Sequence, residues 1–165
     1  MMQDSALLEV FLAQRRIRVE VPLQGFERVS DLLNSRAQEL ISGSMLLGAA
    51  DLPGGSTQAG GEAREILIRV ADARLVCPIV EPSHPESRRR ERIRQRVVLE
   101  IDEWQVTGDV HLLDRVPWID FLTAYRNRFL PITSTSVRFG VQPTTVQYDA
   151  LLVNGARLSA LYEVS

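Results

Sequence analysis

The chain has 165 residues, of which 45% are apolar and 24% are charged, and its net charge at pH 7 is −2. These are the proportions of an ordinary globular protein, and they exclude a strong overall field that would attract nucleic acid or an anionic membrane. All 19 basic residues are arginine, and Cys77 is the only cysteine. An intrachain disulfide is therefore excluded, and the apolar neighbours of Cys77 predict a buried, unreactive thiol.

Neither a membrane span nor a secretory signal is visible in the sequence. No apolar run reaches the roughly 18–20 residues that cross a bilayer. Near the N-terminus the chain has the acidic residues Asp4 and Glu9, where a secretory signal would carry positive charge. We therefore expect a cytoplasmic protein that does not contact a membrane.

A first unit is predicted over residues 1–82. The alternation of apolar and polar residues is typical of half-buried strands. Strands are predicted at 8–12, 16–23, 45–47, 65–70 and 75–80. Between the second and third of them, a short helix should begin at Ser30 or Asp31, which can cap it. It should either reach Leu40 or be shortened by Asn34-Ser35 to little more than one turn. Residues 52–63 are rich in glycine and are expected to form a surface loop.

An arginine-rich linker at 83–96 is expected to lead into a second unit at 97–165. Pro117 fits the first turn of a helix predicted over 118–126. Strands are predicted at 97–101, 104–112, 129–139, 146–153 and 158–164. The last two strands are joined by Asn154-Gly155, and Asn-Gly is the strongest short signal for a β-hairpin.

The two predicted units carry nearly the same pattern. A shift of 89 residues places Asp31 on Asp120 and brings the first strands and the helix into register. A shift of 83 residues places Ala73 on Ala156 near the two C-terminal ends. The glycine-rich loop accounts for the difference, because loops tolerate insertions. The sequence therefore predicts a tandem repeat of two small units, which should pack on each other or on another copy of the chain.

Parts of the second unit resemble small Sm-like β-barrels. Residues 97–100 and 106–110 are similar to the first strand pair of those barrels, and 152–161 are similar to their closing strand–turn–strand. The helix stands between the second and third strands rather than at the start, and Val19 occupies the position of Gly108 in the first unit. The aspartate and asparagine that contact RNA in Sm proteins have no counterpart, so this resemblance implies the barrel shape alone.

The chain also resembles an uncharacterised group of small bacterial domains. The residues that carry this resemblance are Arg-Val-Ser-Asp-Leu-Leu-Asn at 28–34 and Phe-Leu-Pro-Ile-Thr at 129–133. The resemblance implies a fold and a duplication but no activity. Together, the two resemblances imply a mostly β (α+β) protein. It would contain two tandem small Sm/SH3-like β-barrel units, each with a short helix inserted after the first strand pair.

The sequence does not assemble a catalytic or metal site. His84 and His111 are far apart and there is one cysteine, whereas a zinc site needs three or four ligands. Ser30 and Asp31 have no histidine at a suitable spacing and are better explained as helix caps. We therefore predict no catalytic residues, no metal, no cofactor and no enzymatic activity.

Two groups of residues are candidates for binding. Aromatic residues recur at helical spacing in the second unit, at Trp118, Phe121, Tyr125 and Phe129. Such a stripe is typical of a core, but it could also be an exposed surface that docks a partner or a second copy. The arginines Arg88, Arg89, Arg90, Arg92, Arg94 and Arg96 form the second group. They are either a solvated linker or a stripe that contacts phosphates.

The function predicted from the sequence is a non-enzymatic binding or assembly module that acts through protein–protein contacts. A protein partner or a homo-oligomer is expected. The alternative is the binding of nucleic acid or another polyanion through the arginine-rich linker. That alternative is not favoured, because aromatic residues that could stack on bases are not near the linker.

Overall fold

The computed structural model describes residues 4–45, 63–82 and 92–164. Most of these residues lie in antiparallel β-strands, so the predicted mostly β class is confirmed. The chain divides into two compact units, Met1–His84 and Pro85–Ser165.

Unit 1 contains five strands and one helix. They are β1 (Ser5–Phe11), β2 (Arg16–Pro22), α1 (Val29–Asn34), β3 (Leu40–Met45), β4 (Arg64–Arg69) and β5 (Leu75–Val80). A 3₁₀ turn at Val70–Asp72 separates β4 from β5. The strand order within this unit is β5-β1-β2-β3-β4. The predicted alternation of buried apolar and more exposed polar residues is observed in β2, where Ile17, Val19 and Val21 are buried.

Unit 2 repeats this order of elements. They are β6 (Ile93–Ile101), β7 (Trp104–Leu112), α2 (Trp118–Ala124), β8 (Phe129–Phe139), β9 (Val146–Asn154) and β10 (Leu158–Glu163). A 3₁₀ turn at Gly155–Arg157 separates β9 from β10, and the strand order is β10-β6-β7-β8-β9. Because β6 begins at Ile93, Arg94 and Arg96 are strand residues, and the linker prediction for 83–96 is wrong over its last four residues.

The helix of unit 1 has the shorter of its two predicted lengths, and its cap differs from the prediction. It ends at Asn34, and Leu40 belongs to β3. Its N-cap residue is Arg28, without a side-chain cap. Instead, the backbone N–H of Val29 donates to Glu81 Oε1 at 2.8 Å. The prediction that Ser30 or Asp31 caps this helix is therefore wrong, because a carboxylate distant in the sequence occupies that role.

The hairpin predicted at Asn154-Gly155 is also wrong. Asn154 Oδ1 accepts a hydrogen bond from the N–H of Ala156 at 3.1 Å, and the N–H of Gly155 donates to the Arg128 carbonyl at 2.9 Å. These bonds hold a 3₁₀ turn that directs the chain away from β9. β10 consequently pairs with β6 rather than with its neighbour in the sequence.

The strands of neither unit close into a hydrogen-bonded barrel. In unit 1 the order runs from β5 to β4, and in unit 2 from β10 to β9. No ladder joins β4 to β5, or β9 to β10, within the described parts of the chain. Each unit is thus an open five-stranded antiparallel sheet.

One glycine in each unit allows the second and third strands to approach closely. A Cβ at Gly43 in β3 would lie 2.5 Å from the Glu20 carbonyl oxygen and 2.6 Å from a methyl group of Val19. A Cβ at Gly108 in β7 would clash with Ile132 and lie 2.9 Å from Thr135 Cγ2. Unit 1 therefore tolerates Val19 at the position of Gly108, because the glycine has moved to the facing strand.

Replacement of either glycine by alanine should destabilise its unit. We expect Gly43→Ala to lower the free energy of unfolding by about 1–3 kcal/mol, because an added methyl group would overpack backbone and buried side chains. Denaturation in urea measures this loss. Gly155→Ala is the control, because its nearest contact would be an ordinary 3.6 Å to the Arg128 carbonyl. Equal stability of Gly43→Ala and the unmodified protein would contradict the close approach.

Candidate functional site

The two helices occupy equivalent places in their units but are buried to different extents. α1 buries Val29, Leu32 and Leu33, whereas α2 has no buried residue. A helix in a small protein is normally stabilised by the packing of its apolar face. The apolar face of α2 is therefore only partly covered by the described residues of the chain.

α2 is held to the rest of unit 2 by contacts between its aromatic side chains and neighbouring groups. Trp118 Nε1 donates to Glu163 Oε1 at 2.8 Å, next to the end of β10. The rings of Trp118 and Phe121 meet edge to face at 5.7 Å between centroids, and Phe121 and Tyr125 lie 5.6 Å apart. The hydroxyl of Tyr125 donates to the Phe129 carbonyl at 3.0 Å. These contacts fix the orientation of the helix without covering it.

The structure separates the predicted aromatic stripe into two parts. Trp118, Phe121 and Tyr125 are half-buried. Phe129 begins β8 and is 0% exposed, so its side chain belongs to the core. The prediction of Phe129 as a partner-binding residue is therefore corrected: its ring cannot reach a partner in this fold.

Three exposed apolar residues were missed by the sequence reasoning. Ile119 is 74% exposed, Leu113 is 57% exposed and Val116 is 43% exposed. They lie in the segment that leads from the end of β7 into α2. Their regular spacing of three residues was a signal that could have identified them. We call Leu113, Val116, Trp118, Ile119 and Phe121 together the α2 surface.

Burial affects the protonation of the tyrosine at the end of this helix. Burial raises the pKa of Tyr125 above its ordinary value of 10.0. The hydrogen bond with Asn127 and the positive charge of Arg92 lower this pKa, but their effect is smaller than that of burial. The phenol therefore stays neutral at physiological pH and can act as a hydrogen-bond donor to the Phe129 carbonyl.

The described arginines of the second candidate group lie in or next to β6. Arg96 Nη1 is 3.0 Å from Asp109 Oδ1, which neutralises part of its charge. Arg94 is exposed and lies opposite His111 in the β6–β7 register. Arg92 is exposed and precedes the strand. Arg88, Arg89 and Arg90 lie outside the described residues.

A buried ionic cluster occupies unit 1. Glu9 is 5% exposed, and its Oε1 atom lies 3.6 Å from Arg16 Nε and 3.4 Å from Arg18 Nη2. The two arginines compensate the carboxylate for its loss of contact with water. The cluster accounts for the charged residue in the centre of β1.

The remaining chemistry of the described residues is limited. Cys77 is buried, as predicted. Over residues 4–45, 63–82 and 92–164, no three histidine, cysteine, aspartate or glutamate side chains come together as metal ligands. Within the same ranges, no helix has the length and apolarity to cross a membrane.

Comparison with known proteins gives no assignment. No protein-family model matches the chain, and neither the curated proteins nor the solved structures contain a significant match. The resemblances inferred from short motifs therefore stay predictions, and the function has to be argued from the surface of the molecule.

Stability at alkaline pH should report on Tyr125. Because its pKa is higher in the folded than in the unfolded chain, the contribution of Tyr125 to folding stability is fully present below about pH 10, the ordinary value. That contribution is lost as the pH rises further, through the higher pKa of the folded chain. Tyr125→Phe should remove this part of the pH dependence and lose about 1 kcal/mol at neutral pH with the hydrogen bond. Urea unfolding at neutral and alkaline pH measures both effects. Tyr162→Phe, at an exposed phenol, is the control, and identical profiles for the two variants would contradict the assignment.

Proposed function

We propose that this protein is a non-enzymatic assembly module that binds another protein through the α2 surface. The single observation that carries the proposal is the exposure of Ile119 beside two half-buried aromatic rings on a helix that has no buried residue. Large apolar side chains that stay in contact with water are typical of interaction surfaces. Aromatic residues such as Trp118 are also enriched in interfaces between proteins.

The charge of this surface favours an apolar protein partner over a polyanion. Segment 113–124 contains Asp114, Arg115 and Asp120, and so has a net charge of −1. A polyanion would be repelled by that charge and would gain nothing from the apolar side chains. The expected partner is therefore a protein surface with an apolar centre, and the binding free energy should come mainly from apolar burial.

The alternative function, polyanion binding through the arginine-rich segment, has weaker support. Of its three described arginines, Arg96 forms an ion pair with Asp109. Arg92 and Arg94 are exposed, but two charges supply only a small part of the phosphate contacts that bind a nucleic acid tightly.

We also infer that the two units arose by duplication of one small domain related in shape to Sm-like barrels. In support, a shift of 89 residues places β1, β2 and α1 on β6, β7 and α2. A shift of 83 residues places β5 on β10 from its first residue to its last. The same strand order and the same 3₁₀ turn before the last strand recur in both units.

The binding proposal predicts that one added charge on α2 weakens partner binding. Ile119→Glu changes a side chain that is 74% exposed, so the fold should be retained. A purified partner protein that binds the unmodified chain should bind the variant at least about tenfold more weakly. The reason is that a carboxylate in an apolar interface must be desolvated. Calorimetry or a labelled binding assay measures the loss.

Val141→Glu is the matched control. Val141 is fully exposed in the connection between β8 and β9, so the same substitution there tests charge without touching the α2 surface. Equal binding by both variants would contradict the proposal. Retention on heparin at low salt that is lost in Arg92→Gln/Arg94→Gln would instead favour the polyanion alternative.

A further inference from the structure

β4 is an exposed edge of the sheet in unit 1. Among the described residues its strand partner is β3, with an uninterrupted register from Leu40 opposite Arg69 to Met45 opposite Arg64. Proteins protect such an edge with a proline, a bulge, charged side chains or a covering segment. β4 contains charged residues but neither a proline nor a bulge, and no described strand pairs with its outer side.

The ladder with β3 determines which backbone groups point outward. The N–H of Val70 donates to the Glu39 carbonyl at 2.9 Å, so these two opposite residues occupy a hydrogen-bonded position of the ladder. Because such pairs alternate along antiparallel strands, Ile68 and Ile66 also bond toward β3. The N–H and C=O groups of the residues between them point to the open edge. These residues are Glu65, Leu67 and Arg69.

The same three residues present their side chains to solvent. Glu65, Leu67 and Arg69 are exposed, whereas Ile68 is buried. Leu67 is 64% exposed. An open groove of about 420 Å³ is lined by Leu12, by Leu67 and by neighbouring residues of β4. The edge therefore combines backbone groups that no described strand pairs with, one large apolar side chain and two opposite charges.

This arrangement is self-complementary. We propose that β4 pairs with β4 of a second copy of the chain, antiparallel, about a two-fold axis at Leu67. In that register Leu67 faces its own counterpart, and Glu65 of each copy faces Arg69 of the other. Each of these pairs also joins two residues whose backbone groups point outward, as a hydrogen-bonded antiparallel pair requires.

Charge complementarity indicates that the partner of β4 is a second copy of the same strand. The two charges stand two residues on either side of Leu67 and have opposite sign, so antiparallel pairing with an identical strand forms two ion pairs and no like-charge contact. Two-fold dimers are the commonest assemblies of identical chains, and opposite charges across a strand pair are stabilising. The proposal concerns a different surface from the α2 surface and stands whether or not that surface binds a partner.

Charge reversal provides the test. The purified full chain should have a mass of twice 18.5 kDa by light scattering at low salt and micromolar or higher concentration. Glu65→Arg and Arg69→Glu should each weaken the dimer by about tenfold or more, because each creates two like-charge contacts. The double variant Glu65→Arg/Arg69→Glu should restore the dimer. It exchanges the two charges on both copies, so each pair across the interface again has opposite sign. Glu27→Arg, at an exposed residue outside the strands, controls for net charge.

A second measurement tests the register and does not depend on affinity. In the proposed pairing the two copies of residue 67 lie about 5.5 Å apart between Cα atoms, which suits a disulfide. Leu67→Cys should form a covalent dimer on mild oxidation. Leu40→Cys, at an exposed residue of the neighbouring strand, should not do so. Both variants retain the buried Cys77, so its contribution is the same in each.

Three outcomes would overturn the proposal. They are a monomer under all these conditions, a double variant as dissociated as the single ones, and a dimer that survives every charge reversal. A dimer that survives charge reversal but is lost in Ile119→Glu would place the contact on the α2 surface. That result would reject the β4 interface and leave the proposed function intact.

Discussion

The close approach of the second and third strands is the constraint on which each unit depends. A side chain at that point would meet the backbone or the buried methyl groups of the facing strand. Both units satisfy the constraint, but unit 1 uses Gly43 on its third strand and unit 2 uses Gly108 on its second. The requirement therefore belongs to the pair of strands rather than to a position in the sequence, since either strand can supply the missing side chain.

The helix that follows the second strand is packed differently in the two units. In unit 1 it is part of the core, with Val29, Leu32 and Leu33 buried and its first turn closed by Glu81. In unit 2 it is anchored through Trp118 and Tyr125, and its remaining apolar surface is left in contact with water. Because the anchoring contacts hold the helix in place, the proposed binding would lose little conformational freedom in α2, which would lower the entropic cost of association.

The two proposed interfaces would be stabilised by different interactions. The α2 surface would bind through apolar burial and is therefore expected to be insensitive to salt. The β4 edge would bind through backbone hydrogen bonds and two ion pairs, which salt weakens. An edge of six residues that is open to solvent gives a modest interface, so its dimer is expected to depend on protein concentration.

Local patterns in the sequence determined the mostly β class, the number of strands and the order of strands and helices along the chain. Alternation and turn residues are local properties of the chain. The exclusion of Cys77 from solvent also followed from local apolarity. Tertiary structure alone decided which strands pair. The Asn154-Gly155 signal predicted a hairpin, but β10 pairs with β6 because backbone groups of a distant strand are its available partners. Exposure was likewise decided by packing. Phe129 and Ile119 are both large and apolar, yet only Ile119 is left in water, since no sequence pattern records what covers a side chain in the folded chain.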